Sequence, residues 1–169
     1  MTNLIIREPI LKDQTAFLSS VEKSQALHHP WIKPPQNEEQ FEAYLKRSEL
    51  PNHKCFLACD TSENIVGVFN ISEIILYNFR SAYLGFYSMA NYAGKGYMSQ
   101  GLKLVLQYIF EEIKLHRIEA NIQPKNSRSI NLVRANGFSK EGYSPKYLYI
   151  NGKWRDHERW ALTYDIWKY

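Results

Sequence analysis

The chain passes from a predicted strand into a predicted helix through Tyr92-Ala93-Gly94-Lys95-Gly96-Tyr97-Met98-Ser99. The strand covers residues 81–89 and the helix covers residues 99–113. Small residues let the backbone approach a phosphate closely, and a helix that begins there leaves its first N–H groups unpaired at the positive end of its dipole. The stretch therefore predicts a cradle for a phosphorylated cofactor, with an ordinary strand-to-helix turn as the alternative.

Two better-known phosphate motifs do not fit this loop. The pattern G-x-x-x-x-G-K-[ST] does not occur in it, and it lacks the three glycines of a dinucleotide-binding fingerprint. The loop therefore argues against a nucleotide hydrolase and against a Rossmann dehydrogenase.

The helix after the loop has one apolar face. Apolar residues recur in it at three- and four-residue spacing, while the charged residues fall largely elsewhere. The apolar set is Leu102, Val105, Leu106, Ile109, Phe110 and Ile113. We therefore expect the helix to pack on a sheet, with Ser99 or a nearby loop residue as its N-cap. Gly101 permits close packing or the approach of a ligand.

The remaining segments predict an α+β fold. Periodicity and turn residues place further strands at 4–7, 55–59, 65–71 and 117–122, helices at 11–26, 37–49 and 127–135, and a closing hairpin at 147–163. Asn151-Gly152 suits the positive φ angles of a tight hairpin turn. This order predicts a mixed, mostly antiparallel central sheet flanked by helices.

Length and composition predict one domain spanning residues 1–169, because 169 residues that are 44% hydrophobic suffice for one core. No apolar run approaches the ~20 residues that cross a bilayer, and no signal-peptide core follows Met1, so we expect a cytoplasmic protein without a membrane partner. The net charge of +4 suits an anionic cofactor. No basic run supports direct binding of nucleic acid.

The cysteines and histidines predict neither a disulfide nor a metal site. Cys55 and Cys59 lie four apart on a predicted strand, roughly 13 Å between Cα atoms at about 3.3 Å per residue, which is too far for a disulfide. We expect buried thiols. The histidines have no metal-ligand spacing. Those at 28 and 29 precede Trp31 and two adjacent prolines in an irregular loop, which either lines a substrate pocket or packs over the core.

The order of elements, with the glycine loop at its centre, resembles the GNAT acetyltransferase superfamily, a three-layer fold. The loop of that superfamily has the pattern Q/R-x-x-G-x-G/A, and the hexad here is Ala93-Gly94-Lys95-Gly96-Tyr97-Met98. Ala93 stands where the superfamily has Gln or Arg, and Met98 stands where it has Gly or Ala. Since backbone N–H groups make most of the cradle, we expect the departure at Ala93 to weaken acetyl-CoA binding without abolishing it.

The chain more closely resembles the ribosomal-protein N-acetyltransferases of the RimJ/RimL type, particularly the RimJ branch. The matching segments are Tyr83-Leu84-Gly85, Gly94-Lys95-Gly96, His116-Arg117-Ile118, Ala120-Asn121, Gly137-Phe138, Lys140-Glu141-Gly142-Tyr143 and Gly152-Lys153-Trp154-Arg155-Asp156-His157. They cover the C-terminal half densely. The N-terminal half, which in that family shapes the acceptor pocket, matches mainly through Trp31, Gly67-Val68 and Asn70, so we predict Trp31 and Asn70 as substrate-binding residues.

The resemblance implies that acetyl-CoA is the co-substrate and that no metal takes part. In that family an amine attacks the thioester directly in a ternary complex. The strand before the loop separates from its neighbour, so that pantetheine pairs with it. The predicted cofactor-binding residues are Tyr87, Ser88, Met89, Ala93, Gly94, Lys95, Gly96, Tyr97, Met98, Ser99 and Asn126.

Asn126 and Ser129 match the N-x-x-S of the family and are the predicted catalytic residues. The resemblance implies that Asn126 contacts the cofactor and that Ser129 protonates or hydrogen-bonds the leaving sulfur. Taken alone, the pair reads as the start of a helix, because Asn and Ser are favoured caps. Asp156 matches an aspartate that recurs in the family, and it is expected to accept structural hydrogen bonds or to border the acceptor site.

The sequence identifies no general base. Glu73, near the end of a central strand, either faces the cleft as a substrate-binding carboxylate or is simply solvated. The reference pKa of an α-amine, about 7.7–8.0, leaves a neutral fraction at pH 7, whereas a lysine near 10.4 needs more help. We therefore predict acetylation of a protein N-terminus, with a ribosomal protein as one candidate substrate. The alternatives are a small amine such as an antibiotic, polyamine or amino acid, and a non-catalytic CoA-binding module. The chain is expected to be a monomer or a homodimer.

Overall fold

A computed structural model of the protein describes residues 4–168. In this range the strands are β1 (Ile5–Arg7), β2 (Lys54–Cys59), β3 (Ile65–Ile75), β4 (Ser81–Ser88), β5 (Arg117–Ile122), β6 (Ser139–Ile150) and β7 (Lys153–Thr163). The helices are α1 (Gln14–Lys23), α2 (Gln25–His28), α3 (Glu38–Ser48), α4 (Tyr97–Gln107), α5 (Ser127–Ala135) and α6 (Tyr164–Trp167).

The described strands form one sheet in the order β1-β2-β3-β4-β5-β7-β6. Neighbouring strands are antiparallel except β4 and β5, which are parallel. The parallel pair is possible because α4 carries the chain back across the sheet between them. The predicted mixed, mostly antiparallel sheet is confirmed.

Two apolar clusters cover the two faces of this sheet and make three layers. On one face, α4 buries Leu102, Val105 and Leu106 against β3, β4 and β5. On the other face, Phe17 of α1 and Phe41 of α3 pack with ring centroids 4.9 Å apart. Alternating residues of β2 and β3 supply both clusters, which is the period-two pattern of a strand buried on both faces.

The first predicted helix is broken at Ser24, which separates α1 from α2. The Ser24 hydroxyl donates to the carbonyl of Ser20 at 2.6 Å and accepts the N–H of Ala90 at 2.8 Å. A long-range bond to the loop after β4 thus fixes the break. Sequence periodicity cannot predict such a long-range hydrogen bond.

Helix α4 begins at Tyr97, with Gly96 as its N-cap at φ +84°, so the cap is the nearby loop residue of the prediction and not Ser99. A Cβ at Gly101 would lie 2.7 Å from a ring carbon of Phe69, which confirms the prediction of close packing. The last turns, Tyr108–Glu112, widen into a π-helix. The apolar face is nevertheless buried through Phe110.

The C-terminal hairpin is longer than predicted, since β6 begins at Ser139. Asn151 and Gly152 have φ angles of +50° and +76°, as the turn prediction requires. Asp156 accepts hydrogen bonds from the Tyr143 hydroxyl and the Lys146 N–H, which supports the expectation of a structural acceptor. Both cysteines are buried and free. No helix within residues 4–168 is long and apolar enough to span a membrane.

Candidate active site

Strands β4 and β5 separate at the centre of the sheet. Within the described range they pair at Ser81, Ala82 and Tyr83 of β4, and the remainder of β4 has no strand on that side. Met89 N–H donates to the Val66 carbonyl at 2.9 Å, so alternate residues of β4 are committed to β3. By the alternation of an antiparallel ladder, the main-chain groups of Phe86 and Ser88 face the opening.

This geometry bears on the predicted pantetheine contacts, which remain a prediction. The prediction gave main-chain pairing to Tyr87, Ser88 and Met89. The structure leaves Phe86 and Ser88 with outward-facing N–H and C=O groups, while Tyr87 and Met89 bond towards β3. The sequence shows that a strand precedes the loop, but the phase of its hydrogen bonds is set by pairing with β3.

The glycine loop ends at the N-terminus of α4, beside this opening. Gly94 and Gly96 have φ angles of +76° and +84°, and a Cβ on either would meet nothing within 4 Å. Glycine is therefore favoured at both positions by backbone conformation rather than by crowding. Because Gly96 has no side chain to cap the helix, the first N–H groups of α4 stay available to an anion.

A second helix N-terminus faces the same opening. Asn126 is the N-cap of α5, and its Oδ1 accepts the N–H of Ser129 at 3.3 Å. Ser129 is half-buried in the first turn of α5. The helix-cap interpretation of Asn126 is thus confirmed, and the same placement puts both predicted catalytic residues at the cleft.

The cleft has a volume of about 660 Å³. It is bounded by β4, the glycine loop, the start of α5 and the loop after α2. The predicted site residues that line it are Trp31, Tyr87, Ser88, Ala93, Gly94, Gly96, Met98, Ser99, Asn126 and Ser129. The structure therefore brings residues from both halves of the chain around one opening that is large enough for an extended ligand.

Comparison with known proteins identifies the family. Residues 3–139 match the family described as acetyltransferase (GNAT) domain. The chain belongs to the GNAT acetyltransferases. A probable N-acetyltransferase of Bacillus subtilis, YjcK, is 34% identical over 123 residues, which are 73% of this chain and 67% of that protein.

Other relatives act on different amines. The [ribosomal protein uS5]-alanine N-acetyltransferase of Escherichia coli is 41% identical over 105 residues, 62% of this chain, and the match spans 54% of that enzyme. A spermidine N(1)-acetyltransferase of Vibrio cholerae is 26% identical over 145 residues, 85% of this chain and 83% of that enzyme. The family therefore assigns the reaction type and leaves the acceptor open.

The solved structure of Mycobacterium smegmatis RimJ in complex with CoA-disulfide has the same fold. The TM-score is 0.87 at 25% identity, covering 96% of this chain and 82% of that one. A related chain thus holds CoA. In the present acetyltransferase, the opening beside β4 and the two helix N-termini have the form that an extended phosphorylated ligand requires.

Three predicted cofactor residues do not line the cleft. Met89 is buried beneath α1, 2% exposed, with its sulfur 3.9 Å from the Ser24 hydroxyl. The Tyr97 ring packs edge-on against Tyr92 at 5.4 Å. Lys95 is exposed on the loop. Direct contact of these side chains with the cofactor remains a prediction.

Two predicted acceptor residues also lie outside the cleft. Asn70 accepts a hydrogen bond from the Tyr44 hydroxyl at 2.9 Å, on the α3 side of the sheet. Glu73 is exposed at φ +52°, and its Oε2 lies 3.4 Å from Asn52 Nδ2. The structure places Glu73 where the solvated interpretation put it, towards the end of β3 away from the glycine loop.

Sequence reasoning missed two cations in the cleft, Lys125 and Arg128. Both belong to Pro124-Lys125-Asn126-Ser127-Arg128-Ser129, so the signal was available as positive charge interleaved with the N-x-x-S motif. Together with the helix dipoles they make this side of the cleft electropositive. Residues 4–168 contain no grouping of three His, Cys, Asp or Glu side chains suited to a metal ion.

A second cavity of about 490 Å³ adjoins the cleft. Its walls come from α1, α2, the following loop and the tip of the hairpin, and it shares Ala26, His28, His29 and Ile32 with the first. Asn151 Nδ2 donates to the Pro30 carbonyl at 2.9 Å, which ties the hairpin tip to the loop. The loop at 28–35 therefore does line a pocket.

Proposed function

We propose that this acetyltransferase transfers the acetyl group of acetyl-CoA to the α-amine at a protein N-terminus. One observation carries the proposal: among the described residues that line the two cavities there is no Asp or Glu. A polyamine carries several ammonium groups that carboxylates would have to balance, whereas an α-amine carries one and loses it near neutral pH. The similarity to the uS5-alanine enzyme supports the same acceptor.

The chain provides separate groups for holding the co-substrate and for the reaction. The N-termini of α4 and α5, with Lys125 and Arg128, suit the phosphates. The outward N–H groups of Phe86 and Ser88 suit the pantetheine and the thioester oxygen. When bound, acetyl-CoA supplies a thioester carbonyl, and an N–H aimed at its oxygen stabilises the charge that develops there.

In this proposal, Ser129 donates a hydrogen bond to the departing sulfur. Its hydroxyl has no hydrogen-bond partner among the described residues, and it lies on the first turn of α5, where the helix dipole favours negative charge. A serine hydroxyl is a weak acid, so the main contribution is a hydrogen bond that orients and stabilises the thiolate.

A second candidate is acetylation of a small amine. The bond between Asn151 and Pro30 encloses the second cavity on the hairpin side, and an enclosed pocket suits a small acceptor better than a peptide. The similarity to the spermidine N(1)-acetyltransferase of Vibrio cholerae supports this candidate.

The test has two stages. Calorimetric titration with acetyl-CoA and with CoA comes first, and binding by neither would refute the proposal. Turnover is then compared between peptides with a free N-terminal alanine, the same peptides with that amine blocked, and spermidine. We expect acetylation of the free peptide alone, at the α-nitrogen by mass spectrometry. Preference for spermidine would establish the second candidate, and binding without any turnover would indicate a CoA-binding module.

A further inference from the structure

His28 forms part of the wall between the two cavities. It is the last residue of α2, is 4% exposed, and lines both the cofactor cleft and the second cavity. Its Nε2 lies 2.9 Å from the carbonyl oxygen of Ser88, one of the groups on the open edge of β4. His28 therefore borders both the space beside the open edge of β4 and the second cavity.

The hydrogen bond to Ser88 fixes the tautomer of this histidine. A carbonyl oxygen only accepts, so Nε2 carries the proton and Nδ1 carries the lone pair. Nδ1 is buried and has no hydrogen-bond partner among the described residues. An unpaired buried acceptor is destabilising, so the site gains when the surrounding wall shifts enough for a donor to reach Nδ1.

The surroundings of His28 keep it neutral. Burial lowers the pKa of its imidazole, and the Ser88 carbonyl offsets this only in part. The titratable groups beside it are Tyr87, whose ring meets it edge-on at 5.2 Å, and His29, its exposed neighbour. From the second cavity it is faced by the uncharged amides of Gln25, Gln36 and Asn151.

The other described groups in the two walls are poor proton acceptors near pH 7. Lys125 and Arg128 are cations, and burial raises the pKa of the phenols of Tyr87 and Tyr92. His29 shares both cavities but lacks the bond that holds His28 against β4. Among the described residues, His28 is therefore the one buried, neutral base placed at the open edge of β4.

We infer that His28 is the general base that removes a proton from the acceptor ammonium. The N–H bond of the ammonium breaks, its proton passes to Nδ1, and the freed electron pair forms the C–N bond as the C–S bond breaks. The thiolate takes the second proton released by the nitrogen, and His28 returns its own proton to water. The inference rests on the proposed acetyl transfer, but it holds for either class of amine.

The variant His28→Gln distinguishes a role of His28 in proton transfer from a role in positioning. The glutamine amide can still donate to the Ser88 carbonyl but cannot accept a proton near pH 7. We expect kcat to fall by roughly 10²-fold or more, since general-base catalysis contributes at least that much. The acid limb of the kcat–pH profile, present in the wild type below pH 6.5, should disappear. The affinity for acetyl-CoA should stay within twofold, and His116→Gln, at an exposed histidine that lines neither cavity, is the control.

Two results would each refute the role of His28 without refuting the proposed acetyl transfer. The first is a His28→Gln variant that is active and keeps the acid limb of the kcat–pH profile, and the second is a wild-type His28 that carries its proton on Nδ1. The second is read from nitrogen-15 NMR of histidine-labelled wild type, which needs no variant to fold. We expect the Nε2–H tautomer and titration below pH 6.5. Wild type that binds acetyl-CoA but acetylates neither peptides nor small amines would instead refute the proposed function, and the inference with it.

Discussion

Met98 departs from the superfamily pattern, and its neighbour explains why this is tolerated. Its sulfur lies over the backbone of Gly67 on β3, in the space that a Cβ at Gly67 would occupy. Gly67 on β3 thus leaves room for the larger side chain that Met98 has in place of the glycine or alanine of the superfamily pattern. The effect of Ala93 on acetyl-CoA affinity remains a prediction.

Ser129 is the residue whose side chain most directly tests the leaving-group role. We expect Ser129→Ala to lower kcat by roughly 10- to 100-fold, because a hydrogen bond to the developing thiolate is lost. The affinity for acetyl-CoA, measured by calorimetry, should change less than twofold. Ser127→Ala, which removes another hydroxyl from the same cleft, is the control. A kcat unchanged in Ser129→Ala would contradict the assignment.

At the scale of elements, Gly101 lets α4 pack closely against β3, although a glycine lowers the helix propensity of α4. Alanine is about 1 kcal/mol better than glycine inside a helix. Yet a Cβ at Gly101 would sit 2.7 Å from the Phe69 ring and 3.3 Å from Leu4. Packing therefore outweighs propensity at this position.

Gly101→Ala should accordingly destabilise the protein by about 1–3 kcal/mol, the usual cost of overpacking a core. The measurement is the free energy of unfolding in urea. Gly85→Ala is the matched control, because a Cβ there meets nothing within 4 Å, and we expect little change or a small gain. Greater stability of Gly101→Ala would show that the helix shifts freely on the sheet.

Strand β1 is tied to the start of α1 by the ion pair of Arg7 and Asp13. The two side chains meet at 2.6 and 2.8 Å, and Asp13 also accepts the Ile10 N–H at 2.8 Å. Burial opposes ionisation of Asp13, but the hydrogen bonds from Arg7 and Ile10 outweigh it and hold the pKa of the carboxyl below its ordinary value.

This pair predicts a pH-dependent contribution to stability. A lowered pKa in the folded state stabilises the fold above the unfolded pKa of about 3.9, and the contribution is lost as pH falls through the folded value. Asp13→Asn should therefore cost about 1.5–3 kcal/mol at pH 7 and progressively less below about pH 4. The control is Glu22→Gln on the exposed side of α1. A cost that stays constant between pH 7 and pH 3 would contradict the prediction.

At the scale of the whole molecule, the separation of β4 from β5 creates the site. The two apolar clusters hold the sheet together on both faces, so the strands diverge without disrupting either core. The open edge exposes main-chain groups that any sheet would otherwise pair. In the proposed function, acetyl-CoA is the partner of this open edge.

Amide hydrogen exchange tests this arrangement directly. In the free protein the Phe86 and Ser88 N–H groups should exchange rapidly, and saturating CoA should slow them by about tenfold or more. The Tyr87 N–H, which faces β3, is already paired and serves as the internal control. Equal protection of all three residues before CoA is added would show that the edge is closed.

The apolar faces, the glycine loop and the hairpin turn could be predicted because each is a local pattern. Leu102 and Val105 repeat at helical spacing, Gly94 and Gly96 permit positive φ, and Asn151-Gly152 suits one kind of turn. Asn126 could be placed at the start of a helix for the same reason, because the cap pattern is also local. Family resemblance then supplied the reaction type, which these patterns alone do not contain.

The sequence by itself thus determined most of the elements, the family and the glycine loop, since these depend on residues close together in the chain. Only the tertiary structure decided which main-chain groups of β4 are open, where α1 breaks, and that His28 meets Ser88. Each of these depends on a partner far along the chain, and 60 residues separate His28 from Ser88. A local pattern carries no information about such a partner, because the packed sheet brings the two together.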